Sequence, residues 1–193
     1  MPGIVPESLL TLEAYARERT GFRSRVMAHK QRRTVHLGEH VTLLFEDELT
    51  VRYQVQEMLR IERIFEADGI RDELAAYNPL IPDGGNWKAT MLIEYPEAEE
   101  RRRQLAVLRG IERGVWVQVE GCARVLAVAD EDLERETEEK TSAVHFLRFE
   151  LDETMRRALK RGAGVTIGIE HPAYRGELVV APDIRDSLAG DLA

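Results

Sequence analysis

Apolar and polar positions change rhythm several times along this chain. Residues 6–19, PESLLTLEAYARER, place Leu9, Leu12 and Tyr15/Ala16 on one face behind Ser8, a candidate N-cap, and predict a helix. Residues 21–33, GFRSRVMAHKQRR, predict a second helix that starts afresh after Gly21. Residues 34–46, TVHLGEHVTLLFE, alternate about Gly38 and predict a β-hairpin. Residues 47–69 predict a long helix capped by Asp47 and closed by Gly69. Its wet face carries Arg52, Gln56, Arg60 and Arg63, and Ile61, Ile64 and Phe65 belong to a broad apolar arc. Residues 70–85 open as a helix and break before Pro79, since the residue ahead of a proline is pushed out of the helical region.

From residue 86 the rhythm is strand-like, with two helical interruptions. Residues 89–129 read strand ATMLIEY, helix PEAEERRRQLAVLRG, strand GVWVQVE, turn, strand ARVLAVA. Residues 143–180 read strand AVHFLRFEL, helix DETMRRALKRG, strand AGVTIGIE, turn, strand RGELVV. The order β-α-β-β occurs twice, which suggests an internal repeat. The predicted class is α+β: a helical N-terminal part with a hairpin, residues 1–85, packed on an antiparallel or mixed sheet made of two β-α-β-β units, residues 86–193. The whole, 1–193, is read as a single unit.

Strand residues alternate between faces. Val115, Val117 and Val119, Val165, Ile167 and Ile169, and Ala89, Met91 and Ile93 are the natural core. Read as one sheet, the opposite face gathers Lys88, Glu94, Trp116, Gln118, Arg148 and Glu150. Two bases, two acids and a tryptophan together suit an organic ligand with anionic and polar groups. The stretch NPLIPDGGNWKATMLIEYP, 78–96, is dense in proline and glycine and predicts a stiff loop that brings Trp87 and Lys88 to the rim of that face. The alternative for Trp87 is a plug in the core. Glu57 lies within the apolar arc of the long helix, so Glu57 and Glu150 are candidate general bases; a plain ion pair to an arginine is the competing reading of Glu57. In the turn GIEHPAYRGE, His171, Tyr174 and Arg175 complete the candidate ligand-binding set.

Composition narrows the chemistry. The 193 residues carry a formal net charge of −8, which argues against a nucleic-acid partner. Residues 17–33 hold seven Lys or Arg against one Glu, whereas 130–140 hold seven acids against two bases. These patches could pair with each other or with a partner. The single cysteine, Cys122, excludes an internal disulfide and points to a reducing cytoplasm. No apolar run spans a bilayer, and no secretory leader is visible. HLGEH, 36–40, matches the spacing of a zinc-binding helix, but Gly38 and its strand-like flanks place His36 and His40 at a hairpin tip. With no Gly-rich phosphate loop and no clustered metal-ligand spacing, neither metal nor cofactor is expected.

The strings RSRVMAHKQRRTVHLGEHVTLLFED, VRYQVQEMLRIERIFE, AYNPLIPDGGNWKATMLIEYP, EKTSAVHFLRFEL and HPAYR resemble a bacterial family known as domain of unknown function 3501. The resemblance covers nearly the whole chain. It brings no activity and no catalytic residues, and it implies a role beside peroxide or iron redox chemistry. The expected function is a small-ligand-binding or accessory protein, with a protein partner in such a redox system. The alternatives are an enzyme using a buried Glu as general base, and a structural partner docking through 17–33.

Overall fold

A computed structural model of the chain describes residues 3–133, 135–137 and 139–193; Glu134 and Glu138 of the acidic run lie outside the described residues. Helix α1 is Leu12–Gln31. It begins later than the apolar pattern suggests, because Thr11, not Ser8, accepts the capping bond from the Ala14 N–H at 3.3 Å. It also runs straight through Gly21, which has nothing packed within 4 Å of where a Cβ would sit and costs the helix only about 1 kcal/mol. Strands β1 (Thr34–Leu37) and β2 (Val41–Glu46) form the expected hairpin, with Gly38 in the left-handed region at φ 73°. HLGEH therefore lies across a turn between strands.

Helix α2 (Glu48–Glu62) opens with a reciprocal capping box between Asp47 and Thr50. It stops seven residues short of Gly69, because Arg63 turns left-handed at φ 55° and the Ile64 N–H bonds back to the Leu59 carbonyl. Gly69 instead lies inside α3 (Ala67–Tyr77), where a Cβ would meet the Ile64 side chain at 2.8 Å. The early stop leaves Ile61 and Phe65 exposed, outside the core the apolar arc assigns them to. Gln56 differs in the opposite sense. It is buried, and its amide bonds both the N–H (2.7 Å) and the carbonyl (3.2 Å) of Leu10, because the N-terminal segment lies over that face of α2.

The remaining elements are β3 (Asn86–Ile93), α4 (Ala98–Val107), β4 (Val115–Val119), β5 (Arg124–Leu126), β6 (Val128–Ala129), β7 (Val144–Glu150), α5 (Glu153–Lys160), β8 (Val165–His171), β9 (Tyr174–Val179) and α6 (Pro182–Ala189). The class is α+β with antiparallel pairing throughout, and the order β-α-β-β recurs. The strands form two sheets, however, where the sequence reading has one. The first has the order β1-β2-β3-β7-β6 and the second β5-β4-β8-β9. The leading strands of the two units, β3 and β7, pair with each other, as do β4 and β8. Alternation specifies which face a residue takes, but not which strand lies beside it.

The inner faces of both sheets share one core. The first sheet contributes Leu43, Phe45, Trp87, Met91, Leu147 and Phe149; the second contributes the six valines and isoleucines of β4 and β8. Leu105 of α4, Met155 and Leu159 of α5 and Leu188 of α6 close it. The chain passes from β5 of the second sheet directly into β6 of the first. Elsewhere Tyr174 joins the sheets, its hydroxyl donating to the Leu37 carbonyl at 2.5 Å. A second, smaller core of Ile4, Val51, Val55, Leu59, Leu74 and Ile81 holds the N-terminal helices together. They meet the first sheet where Glu46 on β2 accepts hydroxyl bonds from Thr50 of α2 (2.5 Å) and Thr90 of β3 (2.6 Å). Among the described residues no helix is long and apolar enough to cross a membrane.

Candidate functional site

Between the N-terminal helices and the outer face of the first sheet lies a cleft of ≈ 600 Å³. One wall is apolar: Ala75, Ala76 and Tyr77 of α3, then Pro79 and Leu80 of the short 3-10 turn. The other is the sheet, with Lys88 from β3 and Phe146 and Arg148 from β7. Lys88 and Arg148 are direct cross-strand partners, and Glu46 flanks Lys88 on β2. Strand parity puts these three on one side, while Trp87, Ala89 and Phe149 turn to the core.

The cations of the cleft differ in how they are satisfied. Arg148 donates to both oxygens of Glu131 (2.7 and 2.8 Å) and also pairs with Glu150. The Glu131 bonds raise the guanidinium pKa further and hold the Glu131 carboxyl below its usual range. Arg135 donates to both oxygens of Asp132 (2.6 and 2.8 Å) and lies 4.6 Å over the Phe146 ring. Lys88 has no carboxylate within 4.0 Å among the described residues; its ammonium donates to the Pro79 carbonyl at 2.6 Å. Lys88 is thus the cation of this cleft with donors to spare.

The loop that frames the cleft is fastened at both ends. The Asn78 amide bonds the N–H (2.9 Å) and carbonyl (3.0 Å) of Ile4. Asp83 accepts from the Gly85 N–H at 2.8 Å, a bond that holds its carboxyl low. Gly84, at φ 99°, presents its carbonyl to the Ala193 N–H at 2.9 Å.

The other sequence candidates are dispersed. Trp87 is 0% exposed and plugs the core rather than rimming the cleft, with Nε1–H donating to the Leu188 carbonyl at 2.9 Å. Trp116 and Gln118 lie on the outer face of the second sheet, apart from Lys88, because β4 joins that sheet and not β3. There Arg124 covers the Trp116 ring at 3.8 Å, and Gly168 leaves the room the indole needs: a Cβ would meet the ring at 2.4 Å. Arg175 lines a shallow depression beside this pair, and Gln118 donates to the Cys122 carbonyl at 2.9 Å. Tyr174 fastens the hairpin turn, and His171 donates from Nε2 to the Arg109 carbonyl at 3.0 Å. Glu94 accepts from Thr42 at 2.6 Å, near His36 and His40.

Of the two candidate bases, Glu57 accepts from Arg19 (2.7 and 2.8 Å) and from the Tyr15 hydroxyl (2.7 Å). Arg19 is the main reason its pKa falls to about 2, which makes it a poor proton acceptor and matches the ion-pair reading. Burial, with the Glu57 bond behind it, pushes the Tyr15 hydroxyl up. Glu150 is exposed beside Arg148 and accepts from the Asn86 amide at 3.0 Å. The basic and acidic runs do not pair with each other among the described residues. Arg19 and Arg33 bind Glu57, Asp47 and Asp191, and the acidic run binds Arg109, Arg113, Arg135 and Arg148.

One cluster escaped the sequence reading. His145 is fully buried and donates from Nδ1 to Asp130 at 2.6 Å; its Nε2 lies 3.0 Å from the Thr141 hydroxyl. Asp130 takes a left-handed backbone at φ 51°, and its other oxygen accepts from the Phe146 N–H at 3.0 Å.

A family model described as "Protein of unknown function (DUF3501)" matches residues 3–192. A crystal structure of a protein from Burkholderia pseudomallei K96243, described as a novel protein of unknown function, is 56% identical with a TM-score of 0.95, over 100% of both chains. No curated protein matches the chain.

Proposed function

This chain belongs to the DUF3501 family, and from that premise we propose that it is a small-ligand-binding or accessory protein whose recognition surface is the cleft between the 78–85 loop and the first sheet. The observation that carries this reading is Lys88, a cation without a carboxylate partner, in a ≈ 600 Å³ cleft with an apolar wall opposite it. A ligand suited to it has an apolar body for Tyr77, Pro79, Leu80 and Phe146 and an anionic group for Lys88. Glu131 and Glu150 keep Arg148 in place beside that group.

The finer reading places this role in the cytoplasm beside an iron or peroxide redox system. The family resemblance supports it, together with a single cysteine and hence no internal disulfide. We also read residues 1–193 as one unit, supported by a family match that runs from 3 to 192. Against the enzyme alternative stands the engagement of Glu57 by Arg19 and Tyr15. The docking alternative keeps one supporting observation: Arg17, Arg23, Arg25 and Arg32 of the basic run remain exposed on and just after α1.

Native mass spectrometry of the full chain, beside a Lys88→Ala variant, tests the proposal. A co-purified organic anion on the parent protein and its loss from an equally stable variant is the expected result. Equal occupancy of the two proteins would remove the cleft as the site.

A further inference from the structure

On the far side of Arg135 from the cleft is a second pocket of ≈ 350 Å³, lined by Glu112, Arg113, Ala129, Asp130, Arg135 and Glu136. Glu112 sits in the 3-10 turn Ile111–Gly114 and is only 3% exposed. Its Oε1 faces the Arg113 guanidinium at 3.3 Å, and Glu136 Oε1 lies 3.8 Å from the same group. The second oxygen of each carboxylate, Glu112 Oε2 and Glu136 Oε2, is buried without a hydrogen-bond partner among the described residues.

An ionised carboxylate oxygen can only accept, and leaving it buried and unpaired costs free energy comparable to its desolvation. The neighbouring cations do not meet the need. Arg135 is committed to Asp132 and Asp130, and Arg113 and Arg109 reach only the Oε1 side. Asp130 is committed to His145, Phe146 and Arg135. The pocket therefore holds two buried acceptors that lack a donor among the described residues, with a third carboxylate, Asp130, in its wall.

The chemistry of the missing donor can be narrowed. Among the described residues no three His, Cys, Asp or Glu groups are arranged to hold a metal ion. A primary ammonium suits the arrangement better. It carries three N–H donors and one positive charge, and each bond reaches about 2.7–3.0 Å, longer than a bond to a small hard cation. The pocket volume also leaves room for a short carbon chain behind the nitrogen.

We propose that this pocket binds a primary aliphatic amine, its ammonium group donating to the free oxygens of Glu112 and Glu136. The site is distinct from the cleft, and Arg135 is the wall the two share.

The test is calorimetric titration of the full chain with 1,4-diaminobutane, repeated on Glu112→Gln, Glu136→Gln and Lys88→Ala, with MgCl2 and MnCl2 as separate titrants. Saturable one-to-one amine binding is expected. Each Gln variant should weaken it by about tenfold or more, since an amide loses the charge of the acceptor it replaces. Lys88→Ala should leave amine binding unchanged, which separates this site from the cleft. Glu112 is buried, so the melting temperature of its variant is measured first; if that variant does not fold, the less deeply buried Glu136 decides. Absence of saturable binding, binding indifferent to Glu136→Gln, or tight Mn2+ binding that the amine does not displace would overturn the proposal.

Discussion

On the outer face of the first sheet the Arg135 guanidinium lies 4.6 Å from the Phe146 ring; on the outer face of the second, Arg124 lies 3.8 Å from Trp116. Each arginine is also near two acids, Asp130 and Asp132 in one case, Glu170 and Glu177 in the other. The side chains are alike, but the layer above them is not. Over the first sheet stand α3 and the 78–85 loop, so the polar face becomes one wall of a cleft. Over the second, Arg124 itself is the cover, and only a shallow depression remains. A polar sheet face becomes concave where a second stretch of chain is held above it at a distance. Here Asn78 and Gly84 supply that support, through Ile4 and Ala193.

Four substitutions would break or sharpen this contrast. The largest effect belongs to the core both sheets share. Trp87→Ala should cost about 3–5 kcal/mol in chemical denaturation, with loss of the Leu188 bond included. A cost below about 1 kcal/mol would mean that the sheets do not depend on a common interior.

Next comes the helical layer. The folded Glu57 carboxyl has a pKa of about 2 against an ordinary 4.5. Its contribution is therefore complete above pH 4.5 and is lost as the pH falls toward 2, because the unfolded chain takes up the proton first. Glu57→Gln should lower stability at neutral pH and flatten the acid limb of the stability profile. An identical acid limb in the two proteins would show that the Arg19–Glu57 pair does not hold α1 against α2.

Smaller still is the cover of the second sheet. Arg124→Ala should cost about 0.5–1 kcal/mol and shift Trp116 fluorescence to the red as the indole meets water. An unshifted spectrum would mean that Arg124 is not the cover. At the bottom of the scale, Lys88→Ala should change stability by about 0.5 kcal/mol or less, since its bond is to one carbonyl at a half-buried position. A large loss would recast Lys88 as a support for the loop and weaken its reading as a ligand contact.

Local features were the legible ones. Alternation in 34–46 and in β3 gave the hairpin and put Lys88 and Arg148 on one face, because parity is a property of a single strand. The separation of Trp116 and Gln118 from Lys88 was not legible, because strand order depends on which segments meet late in the chain. Gly21 and Gly69 misled for a related reason. A glycine marks a possible break, but at 21 open space and at 69 a close approach of Ile64 decide otherwise. The Asp130–His145–Thr141 cluster was hidden by spacing: its members lie in a loop, before a strand and within it, and only the fold closes them together.

Gly168 and Trp116 are cross-strand partners, and no side chain at 168 can coexist with the indole as it lies. Substitution at 168 is therefore conditional on what stands at 116. A lineage can replace the tryptophan first and then the glycine, but the reverse order passes through an intermediate with a blocked sheet. Sequences that diverge from this one should show a larger residue at 168 only where the indole at 116 has already gone, so this contact sets a direction on the history of the sheet.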